Sequence, residues 1–441
     1  MEVTLDQVLL CREERVDRQR SLIERYSKPV ISFCMNIAGP VKTSILIERA
    51  FRVGLRRLEG SLAASNARIL SKQVLYNVTG PEAFLCVDMP ARMLKKITCR
   101  LEDSDDLGRL YDLDVIDTDF AKVERAGLGK NERKCLICNN EAKVCSSRRV
   151  HSVEQLQNRT KEIMENSVPE YEAELVASLA VKALLCEVYI TPKPGLVDRS
   201  NNGSHSDMDM LSFAGSAAAL HSYFKKAYLC GNSFEKLRNA GLDAEESMFF
   251  ETRGVNTHKG AIFTMGIVCD ATALAMEEGK TDCDTILGKC AQLSSGIVKR
   301  DLSGLSLEQC RTAGQRLFVE HGLSGIRGEL ENGLPAVRNH GFPVLEKLLS
   351  EGKTWDQAGS NALLAILANI TDTNMVSRGG LERARQASAE AGKLVSEGFV
   401  PLEKTEELDR KYRRENLSPG GAADLLAVCC YLHFLKEALS V

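Results

Sequence analysis

Residues 193–210 read KPGLVDRSNNGSHSDMDM, bringing Lys193, Asp198, Asn202, His205, Asp207 and Asp209 into one stretch threaded on Pro194, Gly195 and Gly203. Pro and Gly forbid a helix here, and Asn, Asp and Ser side chains compete for the backbone, so the stretch is a shaped loop. Apolar-periodic sequence flanks it on both sides, and polar loops clamped between core-forming segments are where sites sit. Three further polar islands follow. TRGVNTHKGAIF carries Asn256, His258 and Lys259 just ahead of a small-residue helix, with Gly254 and Gly260 leaving room for a ligand. NITDTNMVSRGG offers Asp372, Asn374 and Arg378. LSPGGAADLLA reads as a helix start with Ser418 as N-cap and Pro419 at the first helical position, its amides beside Gly420 and Gly421 suited to phosphate. Singly, each is consistent with capping and nothing more.

Nearer the start, GRLYDLDVID holds Asp112 and Asp114 two apart. On a strand that spacing puts both carboxylates on one face while Leu113 and Val115 face the core. Two such acids repel unless a cation sits between them, which is the arrangement phosphoryl chemistry wants, although an exposed strand face gives the same pattern. Cys135, Cys138, Cys145 and His151 have the types of a tetrahedral zinc set. Arg133, Lys134, Lys143, Arg148 and Arg149, interleaved with them, equally make a basic strip for a polyphosphate. NIAGPVKTS is not a P-loop, since its first glycine is missing and Pro40 removes an amide donor; Lys42 stays a candidate phosphate contact.

These residues need two kinds of scaffold. Up to about residue 165 the elements are mixed: a charged helix over 6–26, a strand at VISFCMNIAG, an amphipathic helix at ILIERAFRVGLRRLEGSL, two strands joined at Thr79-Gly80-Pro81, and the Asp112 strand. From 166 to 441 long Ala- and Leu-rich helical patterns dominate, and HSVEQLQNRTKEIMENSVPEYEAEL bridges the halves. The expectation is an α+β module followed by an all-α domain. At 441 residues the chain is too long for one core. Its net charge of −3 and 5% aromatics argue against a nucleic-acid binder. Fifteen scattered cysteines, several in apolar runs, read as reduced core residues of a cytoplasmic protein. No apolar run reaches membrane-spanning length, the best candidate being AADLLAVCCYLHFL.

Residues from about 5 to 160, with NIAGPVK, GRLYDLDVID and RKCLICNNEAKVCSSRRVHSVEQL, resemble the citrate lyase holo-acyl-carrier-protein synthase family. Residues from about 170 onward, with the four polar islands, resemble the triphosphoribosyl-dephospho-CoA synthase family. The resemblance implies that ATP and 3'-dephospho-CoA are joined with loss of adenine. Phosphoribosyl-dephospho-CoA is then moved to a serine of the citrate lyase acyl carrier (gamma) subunit, releasing pyrophosphate. For the first step it implies Asp198, Asp207 or Asp209 as carboxylate or Mg2+ ligand, with Glu187 and Asp372 as further metal ligands. His205 or His258 would donate a proton, and Lys193, Asn202, Asn256, Lys259, Asn374, Arg378, Gly420 and Gly421 would hold phosphates. For the second, Asp112 and Asp114 would bind metal in a nucleotidyltransferase-like module, with Lys42, Arg109, Arg148 and Arg149 on the diphosphate. Two rivals stand beside it: a synthase serving malonate decarboxylase, and a zinc-binding regulatory protein built on Cys135–His151.

Overall fold

The computed structural model describes residues 2–138 and 140–440. The chain forms two compact units that divide at Glu172/Ala173. That boundary lies inside one 37-residue helix, Val153–Tyr189, which runs through Pro169. The segment read as a bridge is therefore the first half of a regular helix.

The first unit carries a four-stranded antiparallel sheet in the order β2-β3-β1-β4, with β1 Val30–Met35, β2 Arg68–Asn77, β3 Gly80–Asp88 and β4 Tyr111–Ile116. β2 and β3 make the expected hairpin around Val78 and Thr79. Helices Ile45–Ala64 and Ala91–Glu102 bury Phe51, Leu55, Leu58, Leu62 and Leu94 with Phe33, Leu85 and Tyr111 of the sheet. A buried bidentate ion pair from Arg49 to Glu172 ties helix Ile45–Ala64 to the long helix (Nη2–Oε2 2.6 Å).

The second unit is all helical among its described residues. Its core gathers helices Lys259–Glu277, Trp355–Leu367 and Gly420–Leu439, whose buried residues lie on every face, as central helices require. Lys259–Glu277 is the one described helix long and apolar enough to cross a membrane by composition; 78% of its apolar window is buried, the behaviour of a core helix. The Ala-rich stretch DMLSFAGSAAALHSYFKKAYL forms two helices, Met210–Ala219 and His221–Tyr228. Helix Thr373–Ser396 kinks at Gly380, whose φ of 79° and ψ of 163° are not helical.

Candidate functional sites

In the helical unit the four polar islands meet. Together they line a cavity of about 740 Å³ that includes His205, Asp207, Asn256, His258, Lys259, Asp372, Asn374, Arg378, Gly420 and Gly421, with Glu187, Lys193, Glu329 and Asp424 from the helices and loop between. The 193–210 loop is pinned to the 409–418 segment. Gly195 N–H donates to Asp409 Oδ1 (2.9 Å), and Ser204 Oγ donates to the Leu417 carbonyl (2.6 Å). Gly195 has φ +71°, and a Cβ there would lie 2.1 Å from the Leu417 oxygen, so only glycine lets the loop close.

Several predicted acids are already occupied. Asp198 is buried, and its carboxylate accepts from Lys193 N–H (3.1 Å), Ser200 N–H and Oγ (both 2.7 Å) and Asn201 N–H (3.1 Å). It shapes the loop and is not among the residues lining the cavity. Asp209 is the N-cap of Met210–Ala219, accepting from Ser212 N–H (2.8 Å), which holds its carboxyl below the ordinary range. Asp372 caps two helices. One oxygen accepts from Asn374 and Met375 N–H (2.8 and 3.1 Å), the other from Ala422 N–H (2.8 Å). The amide expected to hold phosphate at Gly420–Leu439 is thus used by Asp372. Ser418, expected as that helix's cap, instead faces His205, and the cap position is Pro419 without a side-chain bond. Asn202 is exposed and lies off the cavity.

What remains is a compact polar interior. Lys193, fully buried, donates to Glu187, whose carboxyl is pushed up by burial with the Lys193 charge opposing. Asp424 is pushed well above the ordinary carboxylate range by burial and by the charges of Glu187 and Asp372. Gly260 packs against it: a Cβ there would lie 2.0 Å from Asp424 Oδ2. Arg378 donates to His205 Nδ1 (3.1 Å), so the ring proton sits on Nε2 and is donated to Ser418 Oγ (2.9 Å). Burial and the Arg378 charge hold that imidazole below its ordinary value, so it is neutral. His258 is neutral too. Thr257 Oγ1 donates to Ser216 Oγ (2.8 Å), leaving the Ser216 proton for His258 Nδ1 (2.7 Å). Its buried Nε2 then carries the ring proton, with no partner among the described residues. Asn256 caps the following helix at Lys259 N–H (3.2 Å), and Lys259 pairs with Glu245 (2.7 Å).

Burial, with the Lys193 charge adding to it, pushes the His258 imidazole from 6.5 down to about 3. Between those values the native state binds fewer protons than the unfolded chain, so stability is lost as the pH falls through that window. His258→Gln is therefore expected to unfold at lower pH than the parent, read by circular dichroism during acid titration. An unchanged midpoint would place the acid lability elsewhere.

In the first unit, β4 alternates as expected: Tyr111, Leu113 and Val115 are buried, and Asp112 and Asp114 share the other face. The two acids have different neighbours. Asp114 pairs with Lys122 (2.7 Å), whereas Asp112 lies 3.5 Å from the Arg133 guanidinium and accepts from Cys34 Sγ (3.8 Å). Asp112 lines a cavity of about 170 Å³ with Arg12, Arg15, Cys34, Lys42 and Glu82. Glu82 is buried opposite Cys34 on β3 and accepts from Arg15 Nε (2.8 Å). Burial pushes the Cys34 thiol up to about 12, Arg15 opposing and Asp112 and Glu82 adding to it. Lys42 donates to the Ile37 carbonyl, and burial lowers its pKa. Arg109 donates to the Cys135 carbonyl, and Arg148 and Arg149 are exposed beyond the short helix Ala142–Ser147; none of the three lines this cavity. Sequence reasoning passed over Arg15 and Glu82, whose partnership depends on which helix crosses the hairpin.

Two units, each enclosing a polar cavity lined with acids and cations, are the outline of a transferase of phosphorylated groups. Residues 173–441 match the ATP:dephospho-CoA triphosphoribosyl transferase family, and residues 3–167 match the apo-citrate lyase phosphoribosyl-dephospho-CoA transferase family. The chain belongs to both, and is a bifunctional transferase with triphosphoribosyl-dephospho-CoA synthase and citrate lyase prosthetic-group transferase domains. It is 34% identical to Protein CitXG of Leuconostoc mesenteroides subsp. cremoris over 99% of this chain and 98% of that one. To Protein CitXG of Haemophilus influenzae it is 32% identical, over 97% and 96%. The 2-(5''-triphosphoribosyl)-3'-dephosphocoenzyme-A synthase of Haemophilus ducreyi is 35% identical, over 67% of this chain and 98% of that protein. The match of the first unit to a citrate lyase transferase favours citrate lyase over malonate decarboxylase.

Proposed function

We propose that the helical unit carries out its transfer in the 740 Å³ cavity. A ribose hydroxyl of 3'-dephospho-CoA bonds to C1' of the ATP ribose, the C1'–N9 bond breaks, and adenine leaves with the electron pair and a proton. Asp424 and Glu187 are the carboxylates placed to offset positive charge on the sugar and to take the hydroxyl proton. His258 acts as a neutral hydrogen-bond donor through Nε2, not as an imidazolium acid, and His205, with both nitrogens bonded, positions Ser418 and Arg378. The reading is carried by one observation: buried Glu187 and half-buried Asp424, whose charges oppose each other, share a cavity with an imidazole N–H that has no partner among the described residues. Repelling acids of this kind fit a divalent cation. Glu187 and Asp424 would hold Mg2+, which when bound would neutralise triphosphate charge, while Asp207 stands at the exposed edge of the same cavity. Asp372 is left out because both its oxygens are engaged by helix amides, and Asp209 because it caps its own helix and does not line the cavity.

For the first unit the chemistry proposed is nucleotidyltransferase-like. A serine oxygen of the citrate lyase acyl carrier subunit bonds to the α-phosphorus, and pyrophosphate leaves. Asp112 would hold Mg2+, which would supply charge to offset that of the phosphates, with Lys42 and Arg15 as phosphate partners. Fifteen free thiols accord with a reducing, cytoplasmic setting. The test is to incubate the protein with ATP, 3'-dephospho-CoA and Mg2+, and to follow free adenine by chromatography and the mass of added acyl carrier subunit. One adenine per triphosphoribosyl product is expected, with loading of the citrate lyase carrier and none of a malonate decarboxylase carrier. ATP consumed without adenine would refute the reading.

A further inference from the structure

We propose that Cys135, Cys138, Cys145 and His151 bind one zinc(II) ion that staples residues 117–159 onto the edge of the sheet in the first unit. The four ligand atoms, three thiol sulfurs and one imidazole nitrogen, all lie within 4.8 Å of one another, the one such group among the described residues. Cys138 Sγ is 3.3 Å from Cys145 Sγ and 3.2 Å from His151 Nε2. A tetrahedral zinc with ordinary Zn–S and Zn–N bonds places its ligands roughly 3.5–3.8 Å apart, so small shifts complete the site. Residues distant in sequence by up to sixteen positions converge with their donor atoms inward, which a solvated basic strip does not require.

A second observation concerns the rest of the segment. Between Asp117 and Arg159 the only buried described residues are Cys135 and Cys145. A segment of that length with no apolar core of its own cannot offset the entropy of ordering it, and a metal is the usual remedy. The backbone is nonetheless folded around the cluster: Cys135 N–H donates to the Asn140 carbonyl (2.6 Å), and Ala142 N–H donates to the Arg133 carbonyl (2.8 Å). All four coordination positions are filled by protein, so the ion is structural and not catalytic. Binding displaces thiol protons to solvent.

The staple has a functional consequence. Arg109 donates to the Cys135 carbonyl, and Arg133 donates to the carbonyls of Arg109 (3.0 Å) and Tyr111 while its Nη1 faces Asp112 (3.5 Å). The metal loop thereby holds a guanidinium against the acid at the start of β4. Arg133 is a positioning residue for Asp112.

The test uses the full-length protein purified with reductant and without chelator. About one zinc per chain is expected by elemental analysis, and cobalt(II) exchanged into it should give the visible bands of a tetrahedral thiolate site. Cys138→Ser and His151→Ala should each lose the metal and be cleaved within 117–159 at least ~10-fold faster by limited proteolysis. Adenine release, which belongs to residues 173–441, should be unchanged. Metal-free wild-type protein, a Cys138–Cys145 disulfide under reductant, or zinc retained by both variants would each overturn the proposal. Should a variant fail to fold, the cobalt spectrum of the wild type decides.

Discussion

Asp424→Asn is expected to cut adenine release from ATP by about 10²–10⁴-fold, the range for losing a positioned acid–base group. The substitution keeps the volume of the side chain, so the tight contact with Gly260 survives. What it removes is a carboxylate that burial, Glu187 and Asp372 all oppose. Because burial and like charge already disfavour the ionised form, an amide is well tolerated there, so thermal stability at neutral pH should hold or rise. Activity and stability then move in opposite directions, which a merely structural aspartate would not produce. Carrier loading from supplied triphosphoribosyl-dephospho-CoA should be untouched, because that reaction belongs to residues 3–167. Adenine chromatography and a melting curve on one preparation decide the matter; turnover within tenfold of the parent would remove Asp424 from the chemistry.

Asp424 could not be singled out from the sequence. It sits in AADLLAVCCYL, where apolar residues cover every face, so periodicity cannot say which side meets a cavity. The same helix hid its own cap. Ser418-Pro419 has the composition of a local N-terminus, yet the capping carboxylate comes from Asp372, fifty residues earlier. Aspartate is both the best cap and a good metal ligand, which is why Asp209 and Asp372 read as ligands until their helices were seen. The islands were legible as shaped loops, since runs of Gly, Asn and Asp between apolar helices bend the chain and bind backbone amides, and the structure brings the four together around one cavity. Likewise legible was the common face of Asp112 and Asp114, because a period of two is unambiguous on a strand. Pro169 was no guide, since the helix Val153–Tyr189 runs on through it.

That legibility has a limit within the acid pair itself, which yields the second large effect. Sequence gives Asp112 and Asp114 equal standing, whereas the structure gives them unequal surroundings. Asp114 is neutralised by Lys122 on the open side of β4, while Asp112 lines the cavity that also holds Glu82, Arg15 and Lys42. A divalent metal on that face would be held by Asp112 first. Asp112→Asn should therefore lower carrier loading by at least ~10²-fold, and Asp114→Asn by about tenfold or less. Neither should change adenine release, and both should retain the parental melt, since each side chain is half-exposed on a sheet edge. Mass spectrometry of the acyl carrier subunit against time measures both rates. Equal losses in the two variants would mean the pair acts as a unit and that the small cavity does not mark the reacting phosphate. A larger loss at Asp114 would move the site outward, toward Lys122 and away from Glu82.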